Sequence, residues 1–361
     1  MAAPFFLLCN FCAEIDFYTD PEAYFFMNRK KKITRTLALG MAAALLAGCS
    51  AGNGMVGSMA VSDESAQQNK MKIVATIFPE YDWTKQIMGN LAENADVTLL
   101  LDSGVDLHSY QPTAEDIIKI SDCDLFLYVG GESEGWVEDA LKEATNPDMK
   151  VINLLDVLKD TVKTEELVPG MQAEEDAAEH EEKEYDEHVW LSLRNAETLC
   201  GAITEALQQI DPEHKQAYAD NVQSYINQLS QLDSQYQSTV ENAARKTVLF
   251  GDRFPFRYLV DDYGLTYYAA FAGCSAESEA SFETVSFLAG KVDELGLPCV
   301  LTIEGRRHKI AETIVQNTKN KNQQILTMDS MQGTTAADVQ NGTSYLSIMQ
   351  SNLKALQTAL N

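Results

Sequence analysis

Short apolar runs rich in β-branched residues alternate with helical stretches from residue 71 onward. Such alternation is typical of α/β folds with parallel sheets. The pattern predicts eight strands, four in each half of the chain: 72–77, 96–101, 125–129 and 151–155, then 247–250, 266–271, 299–304 and 324–328. We therefore expect an α/β fold with two similar lobes, each built on a four-stranded parallel sheet, although no repeat of residues is visible.

One long helix is predicted between the lobes, over residues 211–245, with Asp211 as N-cap and Pro212 in the first turn. Its apolar side chains recur at three- and four-residue steps, which places them on one face: Tyr218, Val222, Tyr225, Leu229, Leu232, Tyr236 and Val240. A coiled-coil seam is the alternative, which the many Gln and Ser residues disfavour. We interpret the helix as a spine behind an N-terminal lobe, 71–210, and a C-terminal lobe, 246–361. Ligands of open parallel sheets bind beyond the carboxyl ends of strands, so a cleft is expected between the lobes.

The first 70 residues predict export and a lipid anchor. Residues 27–48 begin with a basic stretch and continue with an apolar run that is too short to span a bilayer. The run ends in Leu-Ala-Gly before Cys49, which resembles the site cut by bacterial lipoprotein signal peptidase. We expect Cys49 to carry lipid, residues 49–70 to form a flexible tether, and residues 1–26 to be an extension ahead of the true start. An ordinary signal peptide with an incidental cysteine is the alternative.

Composition excludes some classes of function. The formal net charge is -27, which disfavours binding to nucleic acid, because phosphates require clustered Lys and Arg. No nucleotide-binding or catalytic motif is present, so we do not expect an enzyme. The cysteines lack metal-finger spacing, and four of them are interpreted as buried thiols or disulfide partners: Cys123, Cys200, Cys274 and Cys299.

Two of the five histidines occupy positions suited to metal binding. His108 lies in the loop after the second predicted strand, and His188 lies between an acidic stretch and an apolar helix. Imidazole nitrogen is a strong ligand for Zn²⁺ and related metals, and nearby carboxylates can orient it. A surface loop histidine is the alternative for His108. His214 and His308 are expected on the surface.

Several acidic residues could bind or attract a metal ion at the cleft. Glu304 and Asp329 each close a predicted strand, so either could supply an oxygen ligand, with a helix cap as the alternative. Residues 165–187 contain eleven acids around His180. A charge run of this kind is usually a solvated loop, and here it could also attract metal to the cleft.

The arrangement resembles the metal-binding substrate-binding lipoproteins of ABC transporters, cluster A-I, which carry zinc or manganese. The resemblance extends from about Lys72 to the C-terminus. It rests on four features in order: the block His-Ser-Tyr-Gln-Pro-Thr that starts at His108, Asp-Glu-His-Val-Trp around His188, Tyr-Leu-Val-Asp-Asp-Tyr-Gly-Leu from Tyr258, and Asp329 after the last strand. It implies two lobes, a spine helix, and a metal at the lobe interface bound by His108, His188 and Asp329.

The chain departs from the family pattern at one implied ligand. The family's third histidine corresponds to Arg253, and an arginine offers no lone pair to a metal. We expect Arg253 to bond Asp329 or Glu304 beside the metal. A second carboxylate, Glu304 or Asp252, or else a water, would complete the coordination, and a carboxylate would shift preference toward Mn²⁺.

The sequence therefore predicts a monomeric, lipid-anchored, extracytoplasmic protein that captures Zn²⁺, with Mn²⁺ as the alternative. Its expected partners are a permease and the ATPase of that importer. A metal-dependent hydrolase is one competing function, because two histidines and a carboxylate also describe an open catalytic zinc site. A surface adhesin built on the same fold is the other.

Overall fold

The computed structural model describes residues 70–172, 185–275, 279–305 and 308–361. The predictions for residues 1–69, including lipid attachment at Cys49, and for His180 lie outside the described residues. The described residues belong to one compact unit, Ala66–Asn361.

The N-terminal lobe contains a four-stranded parallel sheet. Its strands are β1 (Met71–Ala75), β2 (Ala95–Leu99), β3 (Leu125–Tyr128) and β4 (Lys150–Asn153). They lie in the order β2-β1-β3-β4. Most residues of the two inner strands are buried, as expected for a parallel sheet that is covered on both faces.

The C-terminal lobe repeats this topology. Its strands are β5 (Thr247–Phe254), β6 (Thr266–Ala272), β7 (Cys299–Thr302) and β8 (Gln324–Thr327). They are parallel and lie in the order β6-β5-β7-β8. In each lobe the first strand lies between the second and the third, so the two lobes share one architecture. The predicted fold class, α/β with two four-stranded parallel sheets, is confirmed.

Strand β5 is longer than the hydrophobic pattern predicts. It continues past Phe250 to Phe254, with a shift of register between Phe250 and Arg253, after which Arg253 pairs with Phe271. The irregularity interrupts the alternation of apolar residues, which is why the pattern predicts an end at residue 250. As a result, Asp252 and Arg253 lie within the strand instead of in a loop beyond it.

Helices cover both sheets. The eleven α-helices of the described residues are α1 (Phe78–Met88), α2 (Ala114–Ser121), α3 (Val137–Lys142), α4 (Leu154–Leu158), α5 (Leu193–Ile210), α6 (Lys215–Glu241), α7 (Arg257–Tyr263), α8 (Phe282–Leu295), α9 (Lys309–Asn317), α10 (Ala336–Gln340) and α11 (Tyr345–Leu360). None of the described helices has the length and apolar character needed to cross a membrane.

The spine helix forms as predicted, with a different start. A 3-10 turn over Pro212–His214 comes first, and the α-helix α6 then runs for 27 residues. At 1.5 Å per residue its length is about 40 Å. All seven residues of the predicted apolar stripe are buried. The Tyr236 hydroxyl donates to the Met349 carbonyl at 2.6 Å, which fixes the spine to α11.

The last helix connects the end of the chain to the N-terminal lobe. At its first residue, the Tyr345 backbone N–H donates to Asp82 of α1 at 3.0 Å, and the Tyr345 ring contacts Trp83 edge-on. The Tyr345 hydroxyl donates to the Trp190 carbonyl at 2.7 Å. Trp190 lies two residues after His188, so these bonds hold the segment that carries this histidine.

Candidate metal-binding site

His108 is held at the carboxyl edge of the N-terminal sheet. It lies in a 3-10 turn, Leu107–Ser109, in the loop that follows β2. Asp106 caps this turn by accepting from the His108 backbone N–H at 3.0 Å, while Leu107 is buried in the core. On the ring, Nδ1 lies 2.7 Å from the Ser133 hydroxyl oxygen. These contacts leave Nε2 directed toward His188.

His188 is fully buried beside it. The Asp186 carboxylate oxygen Oδ1 accepts from the His188 backbone N–H and also lies 2.9 Å from its ring Nδ1. A carboxylate bonded to one ring nitrogen fixes the tautomer and leaves the other nitrogen with its lone pair free. The free nitrogen is Nε2, and it lies 3.2 Å from Nε2 of His108. Two imidazole nitrogens that converge in this way are suited to one shared cation.

The surroundings shift the pKa values of the two rings in opposite directions. Burial and the neighbouring His188 lower the pKa of His108 to about 3. Burial also lowers the pKa of His188, but the charge of Asp186 and its hydrogen bond, together with Glu165 and Glu187, raise it more. The net shift for His188 is upward. The low pKa of His108 favours its neutral form, in which the ring can offer a lone pair to a cation.

A third side chain, which the sequence analysis did not select, completes the group. Among the described residues, the ligand atoms of His108, His188 and Cys274 all lie within 4.8 Å of one another. Cys274 follows β6 in the C-terminal lobe and is partly buried. Ligands of parallel sheets bind beyond the carboxyl ends of strands, and Cys274 follows such an end. Its position in the sequence could therefore have marked it as a candidate ligand.

Gly273 allows the loop that carries Cys274 to approach the ring of His188. A Cβ atom at this position would lie 3.0 Å from Cε1 of His188 and 3.0 Å from the Phe254 carbonyl oxygen. Contacts of 3.0 Å are tighter than ordinary packing permits, so a larger residue would displace the loop or the imidazole. The loop is also fixed by the Cys274 backbone N–H, which donates to Glu165 at 2.8 Å.

The three candidate carboxylates have other partners, and none belongs to the group of three. Glu304 accepts hydrogen bonds from the loop after β8, from Ser330 N and Oγ, Gln332 N and Gly333 N, at 2.6–3.1 Å. Asp329 accepts from the Met331 backbone N–H at 2.7 Å. Asp252 accepts from the backbone N–H groups of Arg253 and Ile303. In the described structure these residues anchor loops.

Arg253 forms an ion pair with Asp106 instead of the expected Asp329 or Glu304. Its Nη2 lies 2.5 Å from Asp106 Oδ2, and Nη1 donates to the Ser275 carbonyl at 3.4 Å. Asp106 belongs to the N-terminal lobe and Arg253 to the C-terminal lobe, so the pair joins the two lobes. The expectation failed because the extension of β5 turns Arg253 toward the His108 loop. A guanidinium that is mostly buried still finds an anionic partner, as expected.

A cavity of about 730 Å³ opens beside the group, and Asp106, Arg253, Glu304 and His308 are among the residues that line it. Neither His108 nor His188 lines this cavity. His188 is fully buried, and the side chain of His108 is only 9% exposed. The two imidazoles are therefore largely enclosed by protein, with Cys274 partly buried beside them.

Two parallel α/β lobes on a helical spine, with converging imidazoles at the sheet edges, define the class of two-lobed binding proteins. The chain belongs to the family described as zinc-uptake complex component A, periplasmic, whose model matches residues 73–359. This confirms the family resemblance that the sequence motifs carry. Members of this kind are solute-binding components of transport systems.

Curated relatives and a solved structure agree with this membership. The chain is 31% identical over 304 residues to the zinc-binding lipoprotein AdcA of Streptococcus pneumoniae, covering 83% of this chain and 58% of that one. It is 30% identical over 295 residues to the high-affinity zinc uptake system protein ZnuA of Bacillus subtilis, covering 81% and 88%. The Zn(II)-bound ZnuA-like domain of the pneumococcal AdcA superposes with a TM-score of 0.63 at 29% identity, covering 81% and 99%. This chain thus spans a little over half the length of the pneumococcal lipoprotein.

Proposed function

We propose that this chain is the extracytoplasmic metal-binding component of an ABC importer, which captures Zn²⁺ and delivers it to a permease with its ATPase. The observation that carries the proposal is the 3.2 Å approach of the two Nε2 atoms of His108 and His188. Asp186 and Ser133 hold the opposite ring nitrogens, which is the usual support of metal-binding imidazoles. The relatives named for zinc binding support zinc as the cargo.

Transport is favoured over catalysis by the enclosure of the site. A hydrolytic zinc site keeps an open position for water and substrate. Here His188 is fully buried, and neither histidine lines the neighbouring 730 Å³ cavity. In this proposal the chain acts as a monomeric carrier of an ion and not as an enzyme.

Metal analysis of the purified chain tests this function. Protein stripped with a chelator and dialysed should bind one Zn²⁺ per chain, and Zn²⁺ should raise its melting temperature, since a ligand that binds only the folded state stabilises it. Competition titrations with Mn²⁺ and Fe²⁺ then rank the metals. Failure to bind any of the three ions would refute the proposal.

The protein is lipid-anchored through Cys49 in this proposal, because a basic stretch, a short apolar run and a lipoprotein cleavage pattern occur in order before it. The Cys49→Ala variant should be released to the soluble fraction of cells or remain unprocessed, because stable attachment depends on the acyl chains. Fractionation followed by mass spectrometry of the N-terminal peptide measures this. Cys200→Ala, which changes a buried thiol, serves as the control and should stay with the membrane. Unchanged membrane partitioning of Cys49→Ala would contradict the anchor.

A further inference from the structure

The family resemblance implies a third imidazole at the position of Arg253, yet the structure brings another metal-binding side chain to the same two histidines. Cys274 has its sulfur within 4.8 Å of a ring nitrogen of each of them. His108 and His188 belong to the N-terminal lobe, and Cys274 belongs to the C-terminal lobe. The thiol therefore comes from the lobe that would have supplied the missing imidazole.

The surroundings of Cys274 hold its loop against the imidazoles. On one side, Gly273 lets the backbone pass within contact distance of the His188 ring. On the other, Glu165 of the N-terminal lobe accepts from the Cys274 backbone N–H at 2.8 Å. The loop is thus held against the N-terminal lobe at both residues, which brings Cys274 next to the two imidazoles.

The other candidates for the third ligand are engaged elsewhere. Arg253 cannot coordinate a cation and is paired with Asp106. Glu304 accepts four hydrogen bonds from residues 330–333, and Asp329 caps the same segment at Met331. Recruiting either carboxylate would leave backbone N–H groups without acceptors, which destabilises the folded chain.

We infer that Cys274, as a thiolate, is the third protein ligand of the metal, so that this chain binds its cargo with two imidazoles and one sulfur. The inference rests on the proposed function and specifies its site. On binding, the thiol proton leaves to solvent, and a sulfur lone pair forms the bond to the metal. No oxidation or reduction takes place, and the charge of the complex falls by one relative to a three-imidazole site.

The sulfur ligand changes the expected choice of metal. Thiolates are soft ligands that favour Zn²⁺ and Cd²⁺, whereas Mn²⁺ prefers carboxylate and water oxygens. The carboxylate-completed site expected from the sequence would have shifted preference toward Mn²⁺. A site with Cys274 shifts the preference away from Mn²⁺, so Mn²⁺ should compete poorly with Zn²⁺.

Cobalt substitution of the full chain tests the inference directly. Co²⁺ bound to the unchanged protein should show a near-ultraviolet charge-transfer band, which only a sulfur ligand produces. Cys274→Ser should lose this band and weaken Zn²⁺ binding by roughly 100-fold or more, beyond the 10–100-fold typical of residues that merely support a ligand. Cys274→His should lose the band but keep Zn²⁺ affinity closer to that of the unchanged protein, because it restores a third imidazole.

Controls separate the possible failures. Cys299→Ser removes a buried thiol of the same lobe and should retain the band. If the unchanged protein binds Zn²⁺ but shows no band, and Cys274→Ser binds Zn²⁺ equally well, the inference is overturned while the proposed function stands. If the unchanged protein binds no metal, both fail. Should Cys274→Ser not fold, the band of the unchanged protein and protection of Cys274 from iodoacetamide by Zn²⁺ decide the matter, and absence of both overturns it.

Discussion

Replacing His188 by alanine is expected to abolish high-affinity Zn²⁺ binding. His188 is fully buried, Asp186 fixes its ring, and its Nε2 meets Nε2 of His108 at 3.2 Å. Loss of an orienting partner alone typically costs 10–100-fold in metal affinity, so loss of the ligand itself should cost roughly 100-fold or more. Isothermal titration with a competing chelator measures the change. The rise in melting temperature on adding Zn²⁺ should shrink or vanish in the variant.

His214→Ala is the matched control for this experiment. His214 also has its ring Nδ1 bonded to a carboxylate, that of Asp211, at 2.6 Å, but its side chain is 47% exposed and far along the chain from the site. Its removal should leave Zn²⁺ affinity unchanged. The unfolding of metal-free His188→Ala must be measured as well, since removal of a buried ring also lowers stability. Similar small effects of the two substitutions on affinity would contradict the assignment of His188 as a ligand.

Gly131→Ala is expected to destabilise the fold and to weaken Zn²⁺ binding together. Gly131 lies in the turn after β3 at φ +86°, a conformation that costs a non-glycine residue about 1–3 kcal/mol. A Cβ atom there would also lie 2.7 Å from Cγ of Glu187, next to His188. The same turn carries Ser133, whose backbone N–H donates to Glu187 and whose hydroxyl contacts His108. A shift of this turn therefore disturbs the supports of both imidazoles.

Gly201→Ala is the control, and it is expected to stabilise the fold instead of destabilising it. Gly201 lies inside helix α5, and a Cβ atom there meets nothing within 4 Å. Alanine at such a position should stabilise the protein by about 0.5–1 kcal/mol and leave the site unchanged. Chemical denaturation of the metal-free proteins and Zn²⁺ titration provide the two measurements. A Gly131→Ala protein as stable as the unchanged one would show that the turn adopts another conformation.

The ion pair between Arg253 and Asp106 gives a further role to the residue that departs from the family pattern. It joins the lobes beside the imidazoles, and Asp106 also caps the turn that presents His108. The guanidinium thus acts on the site through the backbone of the His108 loop. In the proposed site, Cys274 supplies the third donor atom, and Arg253 holds the loop that carries His108 through its ion pair with Asp106.

The local pattern of apolar and polar residues was sufficient to predict the helices and strands of the fold. Strands are short apolar runs, and helices repeat their apolar residues every three or four positions, so both leave a record in neighbouring residues. All seven side chains predicted for the buried face of the spine are buried in α6. His108 and His188 could also be selected, because a histidine beside a strand end or an acidic stretch is visible within a few residues of sequence.

Contacts between distant segments required the tertiary structure. The bonds of Arg253 to Asp106, of Cys274 to Glu165 and of Glu304 to Ser330 join segments that approach only after the lobes fold. The shift of register in β5 decides which way Arg253 faces, and local alternation carries no record of it. The sequence by itself thus determined the α/β lobes and the spine, and it selected the two histidines that the fold brings together. Only the tertiary structure decided which side chains lie beside the two imidazoles, because the geometry of a site depends on distances between loops and not on the order of residues along the chain.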